Sequence, residues 1–82
     1  MRKINIGSVY RHFKGNEYRV IDIVNDCESE GTDIKKVVIY QALYGENEKW
    51  ARKYDDFASL VDHDKYPEIS QKYRFEEVKH KW

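Results

Sequence analysis

The chain is poor in the residues that staple, stiffen or anchor a small protein. Cys27 is its only cysteine, so no intrachain disulfide can form. A lone thiol fits a reducing compartment such as the cytoplasm. The opening Met1-Arg2-Lys3-Ile4-Asn5 lacks the apolar stretch of a secretory signal. The longest apolar runs are Val37-Val38-Ile39-Tyr40 and Ala42-Leu43-Tyr44, against the ~20 residues that a membrane-crossing helix needs. A cytoplasmic location with no membrane partner is therefore expected. Excess charge is missing too. The 15 Lys and Arg balance 15 Asp and Glu, which disfavours binding to polyanions through bulk charge. There is no glycine-rich phosphate loop, nucleophile elbow or zinc-binding helix motif. His12, His63 and His80 have no metal-ligand spacing with Cys27, so no metal or other cofactor is expected. Acidic neighbours Asp26, Glu28 and Glu30 disfavour a reactive Cys27 thiolate.

What is present is aromatic and charged. Aromatic residues make up 15% of the chain and charged residues 37%. Disordered chains are poor in aromatics, so the charge reads as a solvated surface round a small aromatic core. At 82 residues the chain is a single domain over 1–82. Any ligand site must be a shallow surface cleft or lie between copies.

Local patterning predicts a mainly β domain. Val9 to Phe13 and Tyr18 to Val24 read as a hairpin across the turn Lys14-Gly15-Asn16-Glu17. Asn25 to Asp33 reads as an acidic loop. Lys36 to Leu43 is a central strand with Val38, Tyr40 and Ala42 on one face and Val37, Ile39 and Gln41 on the other. A turn at Tyr44-Gly45-Glu46-Asn47-Glu48 returns the chain as a short strand, Lys49 to Arg52, with Gly45 supplying a positive φ. Tyr54, Phe57, Leu60 and Val61 have helical spacing, with Asp55 and Asp56 in the first turn. That helix is expected near 54–62, ending before Tyr66-Pro67. Tyr73 to Val78 is a last strand, burying Tyr73, Phe75 and Val78. The fold expected first is a small SH3-like barrel, and second a bent antiparallel sheet with one short helix.

Charge comes in blocks. Residues 1–19, 35–53 and 71–82 are net basic, while 20–34 and 54–70 are net acidic. The basic blocks are largely those read as strands and turns, and the acidic blocks hold the loop after the second strand and the helical segment. A basic sheet bearing exposed aromatics is one way in which small β domains hold single-stranded nucleic acid. Alternating charge also serves solubility alone.

Two constellations stand out. In Tyr10-Arg11-His12-Phe13-Lys14-Gly15, strand alternation puts Tyr10 and His12 on one face and Arg11 and Phe13 on the other. His12 is a candidate general base or phosphate contact, or simply an edge histidine bonded to backbone. In Trp50-Ala51-Arg52, the indole and guanidinium share a face and form a candidate stacking platform. The alternative has Trp50 in the core and Arg52 covering the edge with its apolar stem. Asp62-His63-Asp64 is a weaker candidate for an adventitious metal.

Tyr10-Arg11-His12-Phe13-Lys14-Gly15, the strand Val38-Ile39-Tyr40-Gln41-Ala42-Leu43-Tyr44-Gly45 and the segment Trp50-Ala51-Arg52 together resemble the bacterial domain-of-unknown-function family numbered 1653. The likeness runs from about residue 7 to 75. It implies a small β-rich domain and no particular activity, cofactor or substrate. It singles out Tyr10, Arg11, His12, Tyr18, Tyr40, Tyr44, Trp50, Arg52 and Arg74 as matched residues beyond the aliphatic core. The chain departs from the family pattern at Asp26 and Cys27, where the family carries histidine and serine. It departs again at Lys53, where the family favours proline.

Three functions remain open on these grounds. The first is a binding module for a nucleotide, single-stranded nucleic acid or other anionic or planar ligand, through Tyr10, Arg11, His12, Tyr44, Trp50 and Arg52. A protein segment is a further candidate partner. The second is a small enzyme in which His12 acts with Glu17 or Glu46 and an arginine clamp, Arg11 or Arg52. The third is a homodimeric interaction module.

Overall fold

Five antiparallel strands form one sheet in the order β4-β3-β2-β1-β5 in the computed structural model, which describes residues 2–79. The strands are β1 (Val9–His12), β2 (Glu17–Asn25), β3 (Lys36–Ala42), β4 (Lys49–Lys53) and β5 (Phe75–Glu77). One helical turn, α1 (Tyr54–Phe57), follows β4 directly. The two hairpins expected from the turn signals are both there. His80 and Trp82 lie outside the described residues.

The sheet curls hard. Strands in a sheet lie ~4.8 Å apart, so β3 and β5 would stand ~14 Å apart if it were flat, and β4 and β5 ~19 Å. Yet the rings of Tyr40 on β3 and Phe75 on β5 are 5.6 Å apart, and the Arg52 guanidinium on β4 sits 5.7 Å from the Phe75 ring. Side chains from the two edges therefore meet across the concave face. The remaining gap is spanned by backbone beyond α1. The Arg74 N–H donates to the Ser59 carbonyl and the Val61 N–H to the Lys72 carbonyl, each at 2.9 Å, and Leu60 pairs with Tyr73.

The concave face is set by register. Tyr10 pairs with Tyr18, Val20 with Tyr40, Tyr40 with Trp50 and His12 with Phe75. All of these residues point inward, because side chains on directly paired residues share a face. An extra residue at Ile21 breaks the β2–β3 register between Val20 and Asp22. Without that bulge, period-2 alternation would send Asp22 into the core after Val20. With it, Asp22 faces out, and Ile23 packs against the core instead.

The core is aromatic, as its composition implies. Phe57 from α1 stacks on Phe75 at 4.1 Å and meets Tyr10 and Tyr40 edge-on at 5.5 and 5.2 Å. Ile4, Val20, Val38 and Ala58 complete it.

The helix is shorter than its pattern. Phe57 and Val61 are buried as the spacing predicts, but Leu60 is 55% exposed and the helix stops at Phe57. Ser59 explains the stop. Its hydroxyl bonds back to the Asp56 carbonyl at 2.6 Å, and its own carbonyl is taken by Arg74, which draws the chain into an extended run. Asp62-His63-Asp64 therefore lies in a turn and not at a helix end, with the His63 ring nitrogen 3.0 Å from the Gln71 carbonyl. The last strand also contracts, to Phe75–Glu77, and leaves Tyr73 in the strap before it.

Candidate functional site

One end of the curled sheet is an open mouth built from strand ends. β1 brings His12, the start of β2 brings Tyr18, and β3 brings Tyr40, with Tyr44 in the turn beyond. β4 brings Trp50 and Arg52, and Arg74 precedes Phe75 of β5. These positions share the concave face, and Arg52, which pairs with Val38 further along the sheet, joins them through its long side chain, which reaches the Tyr40 hydroxyl and the Phe75 ring.

The mouth is aromatic and cationic. Tyr18 meets Tyr40, Tyr44 and Phe75 edge-on at 5.3–5.8 Å. The Tyr18 and Tyr44 hydroxyls are 2.6 Å apart. Burial and then this hydrogen bond push the Tyr18 phenol up to about 12. The Arg52 Nε donates to the Tyr40 hydroxyl at 3.2 Å. Asp56 is the one carboxylate paired with the mouth's arginines among the described residues, 2.8 Å from Arg52 and 3.6 Å from Arg74. The Arg74 Nε is buried without a hydrogen-bond partner. Lys14 closes the cationic side, with its ammonium 5.9 and 5.8 Å from the Phe13 and Tyr66 rings.

His12 registers this environment. It stacks on Phe13 at 4.4 Å, meets Phe75 edge-on at 4.9 Å, and its Nδ1 accepts the Lys14 N–H at 3.1 Å. Desolvation first, then the charges of Arg52, Lys14 and Arg74, lower its pKa to about 4. It is neutral at pH 7.

Of the residues singled out from sequence, His12, Tyr44, Trp50 and Arg52 gather at this end. Trp50 is 49% exposed and Tyr44 44%, so neither is core. Tyr10 is different. It is 1% exposed, and its hydroxyl accepts the Asn5 N–H at 2.8 Å, so it supports the mouth from beneath. Arg11 alternates to the convex face and pairs with Glu17 at 2.7 Å. Phe13, expected beside Arg11, lies beyond the end of β1 and folds back onto His12. Glu17 is thus engaged on the far face, and Glu46 lies in the β3–β4 turn beside Trp50. No carboxylate hydrogen-bonds His12 among the described residues.

Sequence reasoning passed over Phe13 and Asp56 as site residues. The Arg52-to-Asp56 spacing of four was a readable signal for an ion pair. Its crossing of a strand–helix boundary hid it.

A second hollow of about 580 Å³ runs from the far end of the β2–β3 hairpin to α1, lined by Asp26, Asp33, Lys35, Lys36, Lys53 and Asp55 among others, and by Asp56, which it shares with the mouth. Its charges are mixed and partly self-paired, with Lys35 3.0 Å from Asp33. The Tyr54 hydroxyl is spent on the Arg2 carbonyl and the Ile4 N–H. Asp26 caps its own turn by accepting the Glu28 N–H at 2.9 Å. Asp26 and Cys27 thus sit at the opposite end from the mouth. No group of three or more His, Cys, Asp or Glu side chains suited to a metal occurs among the described residues. No helix among them is long and apolar enough to cross a membrane.

A curled five-stranded antiparallel sheet with one helical turn, carrying an aromatic, arginine-lined mouth, defines a small mainly β domain. The chain belongs to the family described as protein of unknown function DUF1653, whose sequence model matches residues 8–77. No curated protein and no solved structure matches it.

Proposed function

We propose that the domain is a binding module whose mouth takes up an anionic, planar ligand: a nucleotide or a short stretch of single-stranded nucleic acid. The observation that carries this reading is a gathering of cations and rings: Arg52 and Arg74 share Asp56 at 2.8 and 3.6 Å, the Arg52 guanidinium sits 5.7 Å from the Phe75 ring that His12 also meets edge-on, and the Lys14 ammonium stands 5.9 Å from the Phe13 ring. The Arg74 guanidinium, partly exposed, stands 3.6 Å from Asp56, beyond hydrogen-bond length. A planar guanidinium reads phosphate or carboxylate through paired N–H groups, and Tyr44 and Trp50 offer faces on which a ring can stack. His12, neutral and held by backbone, positions Phe13 and Phe75 and contributes no proton chemistry.

The test is an NMR titration of the full chain with short oligonucleotides and mononucleotides at two salt concentrations. The Trp50 indole and Arg52 guanidinium resonances shift, and binding weakens with salt. Unmoved Trp50 and Arg52 resonances with every probe overturn the reading.

A further inference from the structure

The turn between β3 and β4 adds acceptors to the mouth. A cup of about 240 Å³ opens there, lined by Ala42, Tyr44, Gly45, Glu46, Glu48 and Trp50. Its walls are aromatic and its rim carries two carboxylates. Among the described residues neither Glu46 nor Glu48 has an ion-pair partner, whereas Glu17, Asp33 and Asp56 all do. The turn that carries these two acids is tied down. The Asn47 side chain donates to the Ala42 carbonyl at 3.0 Å, and the Gln41 side chain to the Asn47 carbonyl at 3.0 Å. Gly45 and Asn47 take φ values of 56° and 55° to make it.

The cup is small. Pockets that enclose whole drug-sized ligands run ~300–1,000 Å³, so this one suits a single ring system with the rest of the ligand outside. Trp50 and Arg52 project from one face of β4 two residues apart, roughly 7 Å along the strand. A ring stacked on Trp50 would therefore leave its phosphate near Arg52 and Arg74, with the sugar between. The carboxylates also argue against a long polyanion, whose next phosphates would run past Glu46 and Glu48.

We infer that the cup selects guanine, and that the ligand class of the mouth is a guanine mononucleotide. This deepens the binding reading above and rests on it. The selection follows from donors and acceptors. An ionised carboxylate only accepts hydrogen bonds. Guanine alone among the common bases presents two adjacent donors on one edge, its ring N–H and its exocyclic amine, which match the two oxygens of one carboxylate. Adenine and cytosine place a ring-nitrogen acceptor beside their amine, and uracil sets its single N–H between two carbonyls. Each of those turns a lone pair toward Glu46 or Glu48, and an acceptor facing an acceptor is penalised. Trp50 supplies the stacking face and Arg52 with Arg74 the phosphate contact.

The experiment titrates the full chain with GMP, AMP and inorganic phosphate, following the Trp50 indole and Arg52 guanidinium resonances. The same titrations are run on the double variant Glu46→Gln, Glu48→Gln. Both positions are exposed, so an unchanged amide spectrum verifies its fold. The expected result is GMP binding about tenfold tighter than AMP, the size of one good charge-assisted contact. The preference should vanish in the double variant while AMP affinity holds or rises. Equal affinity for GMP and AMP, with both moving Trp50, overturns the guanine assignment and leaves the binding reading standing. A GMP preference that survives the double substitution also overturns the assignment. Failure of GMP, AMP and phosphate alike to move either resonance overturns both.

Discussion

Arg52, at the end of β4, holds the carboxylate of Asp56 in α1 at 2.8 Å, and Asp56 reaches Arg74 on the other side of the mouth with its second oxygen. One acid thus bridges two cations from opposite edges of the sheet. Asp56→Asn should act in two directions. Its side chain is 46% exposed, so solvent screens the pairs and the lost stability should be only about 0.5–1 kcal/mol. The mouth should meanwhile gain a net positive charge and bind phosphate-bearing probes more tightly. Chemical denaturation and a phosphate titration on the same variant read both effects.

His12 makes stability depend on pH. Its pKa in the fold is about 4, against 6.5 for a free imidazole. Between those values the unfolded chain binds more protons than the folded one, so stability rises with pH from about 4 to 6.5. It levels off above. His12→Phe, which keeps a ring against Phe75, should flatten that rise. Urea denaturation of both proteins across the window tests this, and an NMR titration of the His12 ring with a midpoint above 6 would refute it.

Phe57 is the helix's contribution to the core. It is fully buried and touches Tyr10, Tyr40 and Phe75. Phe57→Ala should cost about 3–5 kcal/mol, most or all of the stability of so small a domain. Circular dichroism of the purified variant should show a broad, early melt or no transition.

Gly45 isolates a backbone effect. Its φ is 56°, yet a Cβ there would meet nothing within 4 Å. Gly45→Ala should therefore destabilise by about 1–2 kcal/mol through conformation alone, measurable as a shifted denaturation midpoint. A neutral result would mean that the turn relaxes.

Much of the fold was legible because it is written in local signals. Lys14-Gly15-Asn16-Glu17 and Tyr44-Gly45-Glu46-Asn47-Glu48 are turn clusters between β-rich runs, and both hairpins followed from them. What escaped notice depends on partners distant in sequence. The bulge at Ile21 is invisible until β3 supplies a register to break. The helix reads as two turns because Leu60 and Val61 have helical spacing, and only the pull of Lys72 to Arg74 draws that stretch straight. At the site, alternation placed His12, Trp50 and Arg52 on the right faces of their own strands. It could not say that the sheet curls, and curling alone brings Arg52 to Phe75. Tyr10 shares His12's face but lies two residues deeper, under α1. Alternation has no measure of depth.

The order of the sheet leaves β4 at an edge, with its outer backbone groups unpaired by any strand among the described residues. Free edges invite a second copy to add on. In a symmetric antiparallel approach centred on Ala51, Lys49 of each copy would lie opposite Lys53 of the other, and Trp50 opposite Arg52. Two pairs of like charges would face each other across the new ladder, which is destabilising. Lys49 and Lys53, which flank Trp50 and Arg52 on this strand, thus guard the edge against its own kind.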